Sequence, residues 1–275
     1  MIVLVAGAHG RLGSRIVALL LHRGHTVRGL VRTEGQAAAL HDVGAEGIVA
    51  DLRGDVEWTA HGCDAAVFAA GARHRGELGA IDAGGAAKLA EAADRHNVDR
   101  FLLCSAIGAQ QPERREGGVR EFLSAKHQAE QRLARLGAGW SILRFGRLTE
   151  DPGTGRIATV LHAGRLTISR DDAALTVADT LERAHLAGQA FNVIDGDRSV
   201  ADVLDAIAPR PLPPAGAART GAEVSLGEAQ ADNPPDAADM IEADAPPLDA
   251  DVDWVGDGPV PREPVDDEDP APLLP

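Results

Sequence analysis

Residues 1–32 read MIVLVAGAHGRLGSRIVALLLHRGHTVRGLVR, and their pattern is the most informative in the chain. The predicted first strand, residues 2–6, is continuously apolar and rich in β-branched residues, which is typical of a parallel strand covered on both faces. The turn GAHGRLG follows directly, then a predicted amphipathic helix over 12–22 and a second strand over 25–31. This order of elements is that of a mononucleotide-binding βαβ unit.

The three glycines of the turn would each serve a different purpose. Gly7 would permit the tight turn, Gly10 would let the backbone approach a pyrophosphate, and Gly13 would let the helix pack close to the sheet. The N–H groups at the helix start, with His9 and Leu12 beside the glycines, would then face the phosphates. A glycine-rich turn can be only a turn, but its place between strand and helix favours a dinucleotide site.

The residue after the second strand indicates which nicotinamide nucleotide is bound. An acidic residue there would accept from a free ribose 2′-hydroxyl, whereas arginine pairs with a 2′-phosphate. This chain has Arg32, followed by Thr33, which could add a hydroxyl, while Arg11 could approach from the other side. We therefore expect NADP(H) to be preferred over NAD(H), the alternative being that Arg32 is merely solvated.

Strand and helix patterns alternate through the rest of residues 1–207. The predicted strands are 47–50, 65–69, 100–104, 140–144 and 190–193, and the predicted helices are 36–42, 56–60, 83–96, 119–136, 171–185 and 199–207. This alternation predicts an α/β fold, a Rossmann-like doubly wound parallel sheet with helices on both faces. Ligands of such sheets lie across the carboxyl ends of the strands.

Charge divides the chain into two parts. Residues 1–210 carry 25 basic and 26 acidic side chains, whereas residues 211–275 carry two arginines and 16 acidic side chains, with most of the prolines. We expect a nucleotide-binding domain over 1–208 and an acidic, proline-rich tail over 209–275 that is disordered or loosely docked. The tail could bind a protein partner, fold back over arginine-rich surface, or only solubilise the chain.

Several classes of protein are disfavoured by composition. No segment is long and apolar enough to span a membrane, and the apolar start lacks a basic leader, so we expect a cytoplasmic protein. Cys63 and Cys104 are isolated, and the ten histidines lack ligand spacing, so we expect no metal site. We also expect no nucleic-acid partner.

The predicted strand ends carry the remaining candidate site residues. Asp51 could accept from the adenine amino group while Leu52 packs on the ring, or Asp51 could cap the following helix. Ala70 and Gly71 are small enough to permit close approach of a ribose or pyrophosphate. Ser105 lies at the end of the fifth strand.

Over about residues 1–207 the chain resembles the atypical short-chain dehydrogenase/reductase family, specifically its small NAD(P)H-binding, NmrA-like members. The resemblance rests on the glycine turn with Arg11 and on motifs spread along the chain: Asp51-Leu52, Ser105-x-Ile107-Gly108, Ala125-Lys126 with Glu130, Ile142-Leu143-Arg144, Leu148-Thr149, Asp151-Pro152-Gly153-Thr154-Gly155-Arg156 and Ile168-Ser169-Arg170-Asp171.

The resemblance implies an altered catalytic site. Active members place a tyrosine, which donates a proton to the substrate, four residues before a lysine that holds the ribose hydroxyls. Here Lys126 is present, but Phe122 occupies the tyrosine position and the chain contains no tyrosine. Phenylalanine cannot exchange a proton. Ser105, followed by alanine instead of a second serine, is the other catalytic candidate, and His74 is an alternative proton donor.

Two functions remain open at this stage. The first is an NADPH-dependent reductase of an unknown small molecule that takes its proton from water, similar to the flavin- and biliverdin-reducing branch of the family. Phe122 and Phe145 would then line an apolar wall for a planar substrate. The second is a non-catalytic NADP-sensing protein of NmrA type, with the acidic tail as a contact element. We favour the first because the family is mostly enzymatic.

Overall fold

The computed structural model describes residues 1–136, 139–159 and 166–209. The strands are β1 Ile2–Ala6, β2 Thr26–Val31, β3 Glu46–Val49, β4 Ala65–Phe68, β5 Arg100–Ala106, β6 Trp140–Phe145, β7 Arg147–Thr149, β8 Arg156–Ala158, β9 Thr167–Ser169, β10 Gln189–Asp195 and β11 Arg198–Ser199. The helices are α1 Arg11–His22, α2 Glu34–Asp42, α3 Ala86–Arg95, α4 Gly117–Leu133, α5 Arg170–Leu181 and α6 Val200–Asp205.

The central sheet has the strand order β11-β8-β10-β6-β5-β4-β1-β2-β3. Its strands from β10 to β3 pair in parallel, while β8 runs antiparallel to both β10 and β11. The chain leaves β3 at one edge and returns on the other side of β1 as β4. This reversal opens a crevice at the carboxyl ends of β1 and β4, where ligands of doubly wound sheets bind.

The two faces of the sheet bury separate apolar cores. Val3 and Val5 of β1 join a core with residues of α1, α2, α5 and α6, whereas Leu4 and Ala6 join a core with residues of α3 and α4. Because successive side chains of a strand point to opposite faces, a strand covered twice must be apolar throughout. The Rossmann-like fold with helices on both faces is thereby confirmed.

Three elements differ from the prediction. The helix predicted over 83–96 starts earlier, as a π-helical segment over Gly79–Gly85 that leads into α3, and the predicted helix 56–60 is a 3₁₀ turn over Glu57–Ala60. Strand β5 continues beyond residue 104 to Ala106. The short strands β7, β8, β9 and β11 were not predicted, because two or three residues are too few to show a period.

Other expectations concern absent features or the end of the chain. No helix among the described residues combines the length and apolar character needed to cross a bilayer. Within the same ranges, no three histidine, cysteine or acidic side chains are grouped as metal ligands. The predicted acidic tail lies, apart from residue 209, outside the described residues.

Candidate functional site

The glycine turn after β1 is packed so closely that two of its positions exclude any side chain. Gly7 has a φ of +79°, and a Cβ atom there would lie 2.7 Å from the Cα of Ala70. A Cβ at Gly13 would overlap the carbonyl oxygen of Gly7. The turn after β1 therefore touches both α1 and the loop after β4, as close helix–strand packing requires.

The start of α1 is suited to an anion. Gly10 is the N-cap residue and provides no side-chain cap, and its own N–H donates to the carbonyl of Gly7 at 2.8 Å. In the described part of the chain, the N–H groups of Arg11, Leu12 and Gly13 have no recorded acceptor. Free N–H groups at the positive end of a 12-residue helix fit a pyrophosphate.

At the end of β2, Arg32 and Thr33 are both exposed. The backbone N–H of Arg32 donates to Oε1 of Gln36 at 3.0 Å, and the hydroxyl oxygen of Thr33 caps α2 by accepting from the N–H of Gln36 at 3.3 Å. These bonds fix the backbone at the strand end and leave the Arg32 guanidinium in solvent. The guanidinium is thus accessible to a phosphate.

Asp51 is bound by its neighbour Arg53. Nε and Nη2 of Arg53 donate to the Asp51 carboxylate at distances of 2.7–3.1 Å, and the Arg53 N–H donates at 2.8 Å. These bonds lower the pKa of Asp51, and the nearby charge of Arg32 lowers it further. The alternative that Asp51 caps the following helix is wrong, since the next turn starts at Glu57 after Val56.

The other residues of the predicted nucleotide-binding set lie along the same edge. Leu52 is only 7 % exposed and packs in the α3–α4 core, so little of it remains for an adenine ring. Ala70 is half-buried and Gly71 is exposed in the loop after β4, and His9 is exposed in the glycine turn. The N–H of Ala72 donates to Oδ2 of Asp82 at 2.8 Å, which anchors the loop after β4.

Lys126 forms a buried ion pair that the sequence did not reveal. Its Nζ lies 2.9 Å from Oδ1 of Asp82, a fully buried residue of the π-helical segment, and 3.4 Å from the carbonyl oxygen of Cys104. The ring centroid of Phe122 is 5.6 Å from the same Nζ. One carboxylate thus holds both Lys126 and the loop after β4.

Ser105 belongs to a second buried network of hydrogen bonds. Its hydroxyl donates to Oε1 of Glu130 at 2.5 Å, and Arg144 donates from Nε and Nη2 to the same carboxylate at 2.7–3.1 Å. Glu130 is fully buried. Ser105 thus contacts protein, and the half-buried neighbouring position, Ala106, carries no hydroxyl.

Four further side chains bear on acid–base chemistry or on a substrate wall. Burial raises the pKa of Cys104 to about 12, so its thiol stays protonated at neutral pH. His74 is exposed in the loop after β4. Phe145 is 3 % exposed and packs in the core on the α5 side, while Phe122 packs against Leu78 and Ala125. The expectation that the two phenylalanines share one wall is therefore wrong.

Arg11 points away from the Arg32 side of the turn. Its Nη1 lies 3.7 Å from Glu150, which follows β7, and Arg15 and Arg170 each reach Glu150 at 2.8 Å. Since β7 follows β6, this cluster lies on the β4 side of β1, whereas Arg32 follows β2. The expectation that Arg11 approaches the 2′-phosphate opposite Arg32 is not met by this arrangement.

Asp82, Lys88 and Arg53 were not predicted from the sequence. The partners of Asp82 and Lys88 are far along the chain, so no local spacing marks them. One signal was available: the chain has 25 arginines and two lysines, Lys88 and Lys126, so each lysine is conspicuous.

Comparison with known proteins agrees with this geometry. Residues 7–184 match the family model described as NAD(P)H-binding. An uncharacterized sugar epimerase of Bacillus subtilis, YhfK, is 36 % identical over 211 residues, which cover 74 % of this chain and 98 % of that protein.

Solved structures give the same result. A Bacillus halodurans protein, provisionally named an NAD-dependent epimerase/dehydratase, is 30 % identical with a TM-score of 0.71, covering 75 % of this chain and all of that one. The anaerobilin reductase ChuY of Escherichia coli O157:H7 shares the fold, with 19 % identity and a TM-score of 0.63 over 72 % of this chain and 99 % of that one. The glycine turn, the open helix start and these matches lead to one conclusion: the chain belongs to the NAD(P)H-binding family whose model it matches.

Proposed function

We propose that the protein is an NADPH-dependent reductase of a small apolar or planar acceptor that uses no side-chain acid. The observation that carries the nucleotide part is the start of α1, where the glycine turn presents N–H groups that lack a recorded acceptor. Anionic phosphates are the ligands that such a helix start favours.

The roles of the surrounding residues follow from their positions. The N–H groups of Leu12 and Gly13 would hold the pyrophosphate, and Arg32 with Thr33 would hold a 2′-phosphate at the end of β2. Lys126 would donate to the ribose next to the nicotinamide while it remains paired with Asp82. The preference for NADP(H) over NAD(H) rests on Arg32. Its side chain is exposed and forms no ion pair with a carboxylate among the described residues.

The chemistry at the nicotinamide end would be simple. The bound dinucleotide supplies a hydride, and the protein orients the acceptor and excludes competing reactions. Phe122 has no proton to donate, and the hydroxyl of Ser105 is already bound to Glu130. The proton that completes the reduction would come from water and not from His74, which is exposed in the loop after β4.

A second function is favoured by a specific observation. Both polar side chains expected at the catalytic positions are held by buried carboxylates: Lys126 is ion-paired with Asp82, and Ser105 donates a hydrogen bond to Glu130. A site that binds nucleotide and lacks a free acid or base suits a sensor of the NADP pool, which would pass its state to a partner protein.

Turnover separates the two functions. Purified protein is mixed with NADPH and a panel of quinones, flavins and simple carbonyls, and NADPH oxidation is followed by absorbance. We expect oxidation with at least one planar acceptor and none with simple carbonyls, which need an acid to protonate the developing alkoxide. Tight NADPH binding without turnover on any acceptor would favour the sensor, and absence of nucleotide binding would refute both.

A further inference from the structure

The ammonium group of Lys88 is enclosed by three successive backbone carbonyls. Its Nζ donates to the carbonyl oxygens of Leu52, Arg53 and Gly54 at 3.0, 2.6 and 3.0 Å. An ammonium has three N–H donors, so all of its capacity is directed at one short loop. A planar guanidinium cannot point three donors at converging carbonyls in this way.

The loop, residues 51–54, follows β3, which lies at one edge of the sheet and, among the described strands, pairs only with β2. Among the described residues the loop has few other anchors. Leu52 packs in the core with residues of α3, and a Cβ at Gly85, the last residue of the π-helical segment, would lie 3.1 Å from the Cβ of Leu52. The side chain of Arg53 contacts Asp51 and Glu77. Among the described residues, the hydrogen bonds of Lys88 are thus the main polar contacts between this loop and α3.

The loop lies beside the residue that we expect to choose the nucleotide. The N–H of Ala50 donates to the carbonyl of Val31 at 2.9 Å, so Asp51 and Arg32 leave neighbouring strands at the same level. Any shift of the loop would move Asp51 and Arg53 relative to Arg32. The glycine turn and α1 should be unaffected, because the hydrogen bonds of Lys88 within the described residues all go to the loop.

We propose that Lys88 is a positioning residue for the adenine half of the nucleotide site: it holds loop 51–54 at the carboxyl end of β3 without touching the nucleotide. The proposal rests on the proposed nucleotide site, in which the adenosine lies between Arg32 and this loop. This role differs from that of Lys126, the other lysine of the chain, which the family resemblance places at the ribose hydroxyls.

The test uses two fragments of the nucleotide as separate ligands, one for each half. The dissociation constants of 5′-ADP, for the adenine half, and of reduced nicotinamide mononucleotide, for the other half, are measured calorimetrically with wild type and Lys88→Met. We expect the constant for 5′-ADP to rise about tenfold, because the loop beside the adenosine loses the hydrogen bonds that hold it in place. The constant for the mononucleotide should stay within about twofold. The proposal would be overturned if the variant lost affinity equally for both fragments, or if it lost affinity for neither.

The matched control is Arg95→Met, which removes a cation from the same helix. Arg95 pairs with Glu57 at 3.1 Å, and both side chains are about half exposed. We expect this variant to bind both fragments like wild type. Since 5′-ADP lacks the 2′-phosphate, the result does not depend on the NADPH preference.

Two further outcomes are distinguishable. If wild type binds neither fragment, the proposed nucleotide site is refuted and the role of Lys88 with it. If Lys88→Met does not fold, Lys88→Gln is used instead, because glutamine keeps two N–H donors. Hydrogen exchange in this variant then measures how often the loop opens. Faster exchange in residues 51–54 with unchanged exchange in residues 7–13 is expected, and unchanged exchange in the loop would overturn the proposal.

Discussion

The ring of Phe122 lies beside an ammonium whose charge is already balanced. Lys126 is 2.9 Å from the buried carboxylate of Asp82, so the pair as a whole is neutral. In family members with a tyrosine at this position, the resemblance implies that the lysine charge depresses the pKa of the phenol. In this chain the hydroxyl is missing, and the charge of Lys126 is balanced by Asp82.

Phe122→Tyr tests whether the charge of Lys126 still acts on a side chain at this position, and the absorbance of the phenolate is the measured signal. The chain contains no tyrosine, so the ultraviolet absorbance of a phenolate in this variant would come from the introduced side chain alone. We expect the phenol to ionise near the ordinary pH for tyrosine, because Asp82 offsets the charge of Lys126. The same variant unfolded in urea serves as the reference. Ionisation several pH units lower in the folded protein would show that Lys126 still activates the position.

Arg32→Ala tests the nucleotide preference. Loss of a charge-assisted bond to a 2′-phosphate should weaken NADPH binding roughly 10- to 100-fold and leave NADH binding nearly unchanged. Titration of both nucleotides against intrinsic tryptophan fluorescence measures this. Arg95→Ala is the surface control. Equal affinities of wild type for the two nucleotides would contradict the preference.

Asp82 on the π-helical segment connects the loop after β4 with α4. Asp82→Asn removes the charge that balances Lys126 in a buried position, which should cost about 3–5 kcal/mol of the free energy of unfolding. Adding Lys126→Met should recover most of the loss, because an uncharged pair needs no compensation. Urea unfolding of the single and double variants gives both values. A double variant no more stable than Asp82→Asn alone would argue against a buried charged pair.

The contact between α1 and α5 includes a carboxylate that responds to pH. Burial acts to raise the pKa of Glu182, but hydrogen bonds and charges from His25 and Arg23 outweigh it and lower that pKa below its usual value. A lowered folded-state pKa stabilises the fold above the ordinary carboxyl pKa, and the stabilisation is lost as the pH falls through the lowered value.

Glu182→Gln makes this measurable. We expect wild type to be more stable than the variant at neutral pH, and the difference should shrink as the pH is lowered into the acid range. Thermal melts at several pH values give the comparison. A difference that is constant across the acid range would show that Glu182 does not titrate with folding.

Local pattern predicted the elements well and their mutual contacts poorly. The glycine turn and the apolar strands are visible in the sequence because their signals lie within a few residues. The bond from Lys88 to the loop after β3, the pair between Asp82 and Lys126, and the reach of Arg11 to Glu150 join residues that are distant in the chain. Their geometry depends on how the strands are ordered, which no local period encodes.

Residues 211–275 carry 16 acidic side chains and two arginines, and thus most of the net negative charge of the chain. We propose that the nucleotide-binding domain ends near residue 208 and that the acidic tail makes no contribution to nucleotide affinity. Deleting residues 211–275 should then leave the dissociation constant for NADPH and the melting temperature unchanged. Calorimetric titration and thermal melts test this. Tighter binding after deletion would instead indicate that the acidic segment competes with the phosphates for arginine side chains.

Both lysines of the chain are held by bonds that belong to the proposed nucleotide site, Lys88 by the loop at the adenine end and Lys126 by Asp82 at the other. Amine-directed reagents can react with either ammonium only after these bonds open. The rate of acylation at each lysine, read by mass spectrometry, would therefore report how often each half of the site opens in solution. Because the chain has only two lysines, their two acylation rates would measure local opening at the two halves of the site separately.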